Sequence, residues 1–282
     1  MALWFRIVAS VILALGLCAG AAAAAVPPWS HFASALWNNP EGLPALPENP
    51  SIHYEPGALE QARRVAAILP AALDRVAAEQ GRTFAHPVIV GVYVSPDSFA
   101  AANGTGSPGV AGVTFMGRVT LSPRLFSKQP QRLQRILTHE LSHAHLAGWI
   151  GTLATVHLPN WFKEGLAVMV SDGGGAEDVS AAAAREAILP DDRITVNDTG
   201  SWLHLSAVEF EREPRIPRDA QRIEMAYRQA GLFVTWLHDT DPAAFAAMLQ
   251  AIEDARPFKD AVPAAYGATL PVLWSRFVAG LS

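Results

Sequence analysis

Residues 138–146 read Thr-His-Glu-Leu-Ser-His-Ala-His-Leu, and residues 159–165 read Pro-Asn-Trp-Phe-Lys-Glu-Gly. Two imidazoles four residues apart, His139 and His143, sit about 40° apart around a helix axis, so both rings face one way. A zinc ion that does chemistry takes three protein ligands and keeps a fourth position open for water. Glu164, which follows His143 by 21 residues, is the candidate third ligand, on a second helix expected to lie against the first. Glu140 lies about 60–100° from both rings and is poorly placed to ligate the same ion. Its carboxylate can instead take a proton from the attacking water and pass it to a leaving amine. The chemistry open to these four residues is metal-assisted hydrolysis.

Other candidates fall away by position or composition. His145 stands about 120–160° from the histidine pair and cannot join the same ion. His157 reads as a histidine of the connecting segment. Cys18 is the only cysteine, and it falls within an N-terminal apolar run. A processed chain would then have no cysteine ligand, no cysteine nucleophile and no disulfide. Half of the 282 residues are hydrophobic and 17% are charged, which predicts a sizeable core and excludes wholesale disorder. A net charge of −5 gives no basic footprint, so nucleic acid is not an expected partner.

Around the two motifs the chain organises as follows. Residues 1–25 carry one early cation, Arg6, an apolar run from Ile7 to Cys18, and small residues Ala19 to Ala25. That order predicts a signal peptide with Ala23 and Ala25 as the cleavage signal, and hence export to the periplasm or beyond in a bacterial envelope. A retained membrane anchor is the alternative, although the apolar run is short for a span of ~20 residues. Residues 26–50 hold six prolines and read as an extended lead-in or linker, leaving 51–282 as the domain. Helical spacing marks 57–78, with Pro70 expected to kink or split it. Pro87 to Ser95 is the strongest strand signal, and Gly112 to Ser122 reads as one bent strand or a tight hairpin.

The first motif lies on a helix from Gln129 to about Leu146, whose Leu133, Leu137, Leu141 and Ala144 form a stripe roughly opposite the histidine pair. The second lies on a helix opening at Pro159 or Asn160 and stopped by Asp172-Gly-Gly-Gly175. Gly165, costly inside a helix by about 1 kcal/mol relative to Ala, signals a close helix contact. Residues 173–219 are polar, apart from a helical piece near Ser180–Ile188. Helices are then expected over 219–239, 242–254 and 270–281. Strands early and helices late predict an α+β fold: a small N-terminal β-sheet with helices, the motif helix, then a mainly helical C-terminal lobe.

Leu-Thr-His-Glu-Leu-Ser-His, followed by Leu-Pro-Asn-Trp-Phe-Lys-Glu-Gly-Leu-Ala, resembles the peptidase MA-like domain, a gluzincin family of zinc metallopeptidases. The close likeness covers residues 136–172, with a looser one from about 85 to 280. The resemblance implies a zincin-like fold and a peptide or protein substrate. It also implies one zinc held by His139, His143 and Glu164, with Glu140 as catalytic base. Tyr227-Arg-Gln-Ala-Gly231 is similar to a downstream segment whose tyrosine hydrogen-bonds the developing oxyanion, although Tyr227 also lies on its own helix's apolar stripe. The Gly-x-Met-Glu-Asn stretch of the family's aminopeptidase branch has no counterpart in Gly112–Ser122, so specificity for a free amino terminus is not implied. That strand still offers an edge for an extended peptide. The alternative function is a catalytically silent module that binds zinc or a partner on the same scaffold.

Overall fold

The computed structural model describes residues 28–189, 192–200, 208–212, 214 and 220–281. The expected signal peptide lies outside the described residues. Helix α1 (Pro28–Trp37) comes first, then strands β1 (Ala45–Leu46) and β2 (Asn49–Tyr54). From residue 28 onward the expected extended lead-in therefore contains regular elements that join the fold. Short length and prolines hid them; Pro50 of β2 is exposed, where its missing N–H is tolerated.

Helix α2 (Leu59–Glu79) follows, then β3 (Ile89–Val92), α3 (Pro96–Ala102), β4 (Gly112–Phe115), β5 (Arg118–Leu121) and the single turn α4 (Arg124–Ser127). Helix α2 is continuous through Pro70, which therefore does not split it. Pro70 faces solvent, so water can satisfy the carbonyl that loses its helical partner. Gly112 to Ser122 forms the hairpin. Met116 and Gly117 both adopt positive φ, the two-residue geometry whose twist matches the flanking strands.

The sheet order is β1-β2-β3-β5-β4, with β2, β3 and β5 parallel and the outer pairs antiparallel. Register aligns Ile52, Val90 and Val119 in one row and Tyr54, Val92 and Leu121 in the next. The aliphatic members of both rows are fully buried. This face packs on α2 and on α5 (Leu133–Ile150), which carries the first motif. The other face is covered by α1, α3 and the turn at Pro40.

Beyond α5 come α6 (Asn160–Val170), α7 (Ala181–Ile188), α8 (Ala220–Thr240), α9 (Pro242–Glu253), α10 (Phe258–Tyr266) and α11 (Leu270–Ala279). The short α10, with Pro263 inside it, was not expected from periodicity. The chain is α+β, with a small mixed five-stranded sheet and mostly helical remainder. Trp161, Phe162, Phe233, Phe258, Trp274 and Phe277 interlock where α6, α8, α10 and α11 meet. Among the described residues no helix is long and apolar enough to cross a membrane.

Candidate metal centre

Helix α5 is buried on nearly every side. Leu133, Leu137, Leu141 and Ala144 enter the core as their stripe predicts. The far side is pinned by polar contacts: Gln80 donates to the Ser142 hydroxyl at 2.6 Å, and His145 Nε2–H donates to the Arg82 carbonyl at 3.0 Å. His145 is fully buried there, away from the histidine pair. His157 ends a short turn between α5 and α6 and is not among the groups brought together.

Helix α6 presents Glu164 to the pair. Its Gly165 does mark a close helix contact, whose partner is α8. A Cβ there would stand 2.6 Å from the Ala230 carbonyl oxygen of α8, so α6 nestles against the helix of Tyr227 as well as against α5. Trp161, Phe162 and Leu166 anchor α6 in the core.

These placements converge on one point. His139 Nε2 and His143 Nε2 are 3.2 Å apart, and Glu164 Oε2 lies 3.3 Å from the first and 3.5 Å from the second. Ligand atoms about 2.0–2.1 Å from a tetrahedral zinc stand roughly 3.3–3.4 Å from one another. The donor set therefore fits a metal ion, and among the described residues this is where such a group forms. His139 Nδ1 lies 2.9 Å from the Gly174 carbonyl. A carbonyl only accepts, so Nδ1 carries a proton, which leaves Nε2 as the atom that would ligate a metal ion.

Charge suits a cation too. Burial opposes the Glu164 charge, but His143 and His139 hold its carboxyl well below the usual carboxylate range. Burial likewise opposes a proton on His139, while the hydrogen bond to Glu164 and the charges of Glu140 and Glu164 outweigh it and raise the ring.

Glu140 is not one of the three converging groups. It faces β4, where the Thr114 hydroxyl lies 2.7 Å from its backbone carbonyl and 2.9 Å from its Oε2. Strand register explains this. Thr114 pairs with Val119 and Gly112 with Leu121, so both point to the α5 face, and a Cβ on Gly112 would stand 2.9 Å from Glu140 Cγ. Tyr227 is at the site rather than lost in the core. Its ring stacks on His139 at 6.2 Å and 14°, and the charges of Glu164 and Glu140 act on its hydroxyl. Burial, then the charges of Glu164 and Glu140, push the phenol well above its ordinary value, so it stays a donor.

Sequence reasoning missed Thr114 and Gly174. The run Gly173–Gly175 was a visible signal, read only as a helix stop; nothing local marked Thr114. No family model, curated protein or solved structure matches this chain. What the fold and site define is an α+β chain whose motif helices enclose a three-ligand pocket suited to a metal ion, with a carboxylate and a phenol beside it.

Proposed function

We propose that this chain is an exported zinc-dependent peptidase of gluzincin type, with the zincin-like fold of the peptidase MA-like family that residues 136–172 resemble. The observation that carries the reading is the triangle of ligand atoms at 3.2, 3.3 and 3.5 Å. His139, His143 and Glu164 would hold the ion. Bound zinc would supply a Lewis acid for the peptide carbonyl and lower the pKa of water towards ~7.

The rest is the work of the chain. Glu140, steadied by Thr114, takes the proton of the attacking water and delivers it to the leaving amine. Tyr227, kept protonated, donates to the oxyanion that develops on the carbonyl oxygen. Strand β4 is an edge of the sheet beside Glu140, and its outer side can pair with an extended peptide, giving affinity with little sequence preference. Export rests on the apolar run Ile7–Cys18 and the alanines that follow it.

Purified protein should contain about one zinc per chain by elemental analysis, and a mixed peptide library should be cleaved by the parent and spared by Glu140→Gln. If the variant cleaves as well as the parent, the mechanism is wrong. A zinc-loaded parent that leaves every peptide intact would instead support the silent binding module.

A further inference from the structure

Of the three converging side chains, His139 is the most enclosed, and the group that orients it comes from a distant part of the chain. The segment 171–179, Ser-Asp-Gly-Gly-Gly-Ala-Glu-Asp-Val, brings the Gly174 carbonyl to His139 Nδ1. Asp172, Gly173 and Gly175 all have positive φ, a path that side chains resist. A Cβ on Gly175 would stand 3.1 Å from His139 Cε1, and one on Gly174 would stand 2.6 Å from the Arg135 carbonyl oxygen. The segment is therefore pressed against α5 by its own lack of side chains.

Contacts with α6, with α8 and with the turn before α5 hold it in place. Within the segment, Ser171 Oγ accepts from the Gly174 N–H at 3.0 Å while donating to the Ala167 carbonyl of α6. From the turn that leads into α5, Arg132 meets Glu177 at 2.7 Å, and the same Glu177 oxygen accepts the Gly175 N–H at 3.1 Å. Both side chains of this pair are largely shielded, at 18% and 11% exposure. From α8, Arg228 donates to the carbonyls of Val179 at 2.8 Å and Ala176 at 2.5 Å. Arg228 is the residue after Tyr227.

We propose that segment 171–179 is the outer shell of the metal centre, and that Glu177, clasped by Arg132, and Arg228 are positioning residues that fix the tautomer and direction of His139. The inference rests on the metal reading given above. Partners of this kind around a ligating histidine typically change metal affinity by about 10–100-fold.

The experiment measures zinc affinity by competition with a chromophoric chelator, together with the melting temperature of the zinc-free protein. Glu177→Ala is expected to weaken zinc by about 10–100-fold. Glu177→Gln, which keeps an acceptor for the Gly175 N–H, should recover part of the loss. Arg228→Lys, able to reach one carbonyl instead of two, should fall between parent and Glu177→Ala. Phe245→Leu, in the core between α8 and α9, supplies a melting-temperature loss remote from the site and should keep parental zinc affinity. Parental affinity in Glu177→Ala, or an equal loss in Phe245→Leu, overturns the inference and leaves the metal reading standing. A parent that binds no zinc, while His139→Ala binds none either, overturns both.

Discussion

In the proposed mechanism Glu140 and Tyr227 have opposite duties at one centre, and their surroundings keep them apart. Glu140 is seated against Gly112 and Thr114 of an edge strand, where its side chain meets a hydroxyl donor. Tyr227 is held neutral by burial and by two nearby carboxylates. Glu140→Gln should keep zinc and lower turnover by about 10²–10⁴-fold, the usual range for a general base; a stoichiometric metal assay beside the rate separates the two effects. Tyr227→Phe should lower kcat by about 10²–10³-fold, as for one oxyanion donor, with KM little changed. An unchanged kcat would leave Tyr227 as a packing residue only. His139, Glu140, His143 and Glu164 could be read from the sequence because helical spacing alone puts the first three on neighbouring faces. Thr114 and Gly174 could not, because they reach the site across 26 and 35 residues, through strand register and backbone path.

Among the elements, long periodic helices were plain in the sequence and short ones were not. Helices α2, α5, α6 and α8 announce themselves by apolar spacing. In contrast, β1, β2 and α10 are brief and contain or adjoin prolines, so their signal is tertiary: they exist because a sheet edge or a helical core receives them. Gly165 was legible as a close contact, but its partner was not, since spacing along one helix says nothing about which neighbour comes nearest. The contact makes a direct prediction. Gly165→Ala places a methyl against the Ala230 carbonyl and should cost about 1–3 kcal/mol by overpacking. Calorimetry of the zinc-free protein checks it. A melting temperature equal to the parent's would mean the helices separate freely.

At the scale of the whole molecule, two conditions should govern stability. Zinc present at 100 times its dissociation constant should add about 2.7 kcal/mol, worth roughly 5–10 °C at ~2–4 °C per kcal/mol for a chain of this size. Equal melting temperatures with zinc and with chelator would show that the folded state takes up no ion. The second condition is pH. Glu253 of α9 is pushed up to about 7 by burial, against the opposing pull of Arg82 at 3.0 Å and with Asp254 adding to the rise. Its neighbour His145 is lowered by burial and stays neutral nearby. Between the ordinary glutamate value and about 7, the folded chain keeps a proton that the unfolded chain releases. Stability from this group is therefore full at acid pH and lost as pH rises through that window. Glu253→Gln should flatten the profile, melting above the parent at pH values past about 7 and close to it in acid. A gap that does not widen with pH would refute this assignment.

The crossing of α6 and α8 also decides how motion reaches the site. Gly165 lies against Ala230, and Gly231 lies against Val168, so the two backbones meet with almost nothing between them and act as a pivot. Glu164 adjoins that pivot, and Tyr227 is one helical turn from it, about 6 Å at 1.5 Å per residue. A scissoring of the helices by 10° would move Tyr227 by only ~1 Å, while Thr240, nine residues beyond Gly231, would sweep ~2.4 Å. Any change in the crossing angle would thus be felt least at the carboxylate and the phenol, close to the fulcrum.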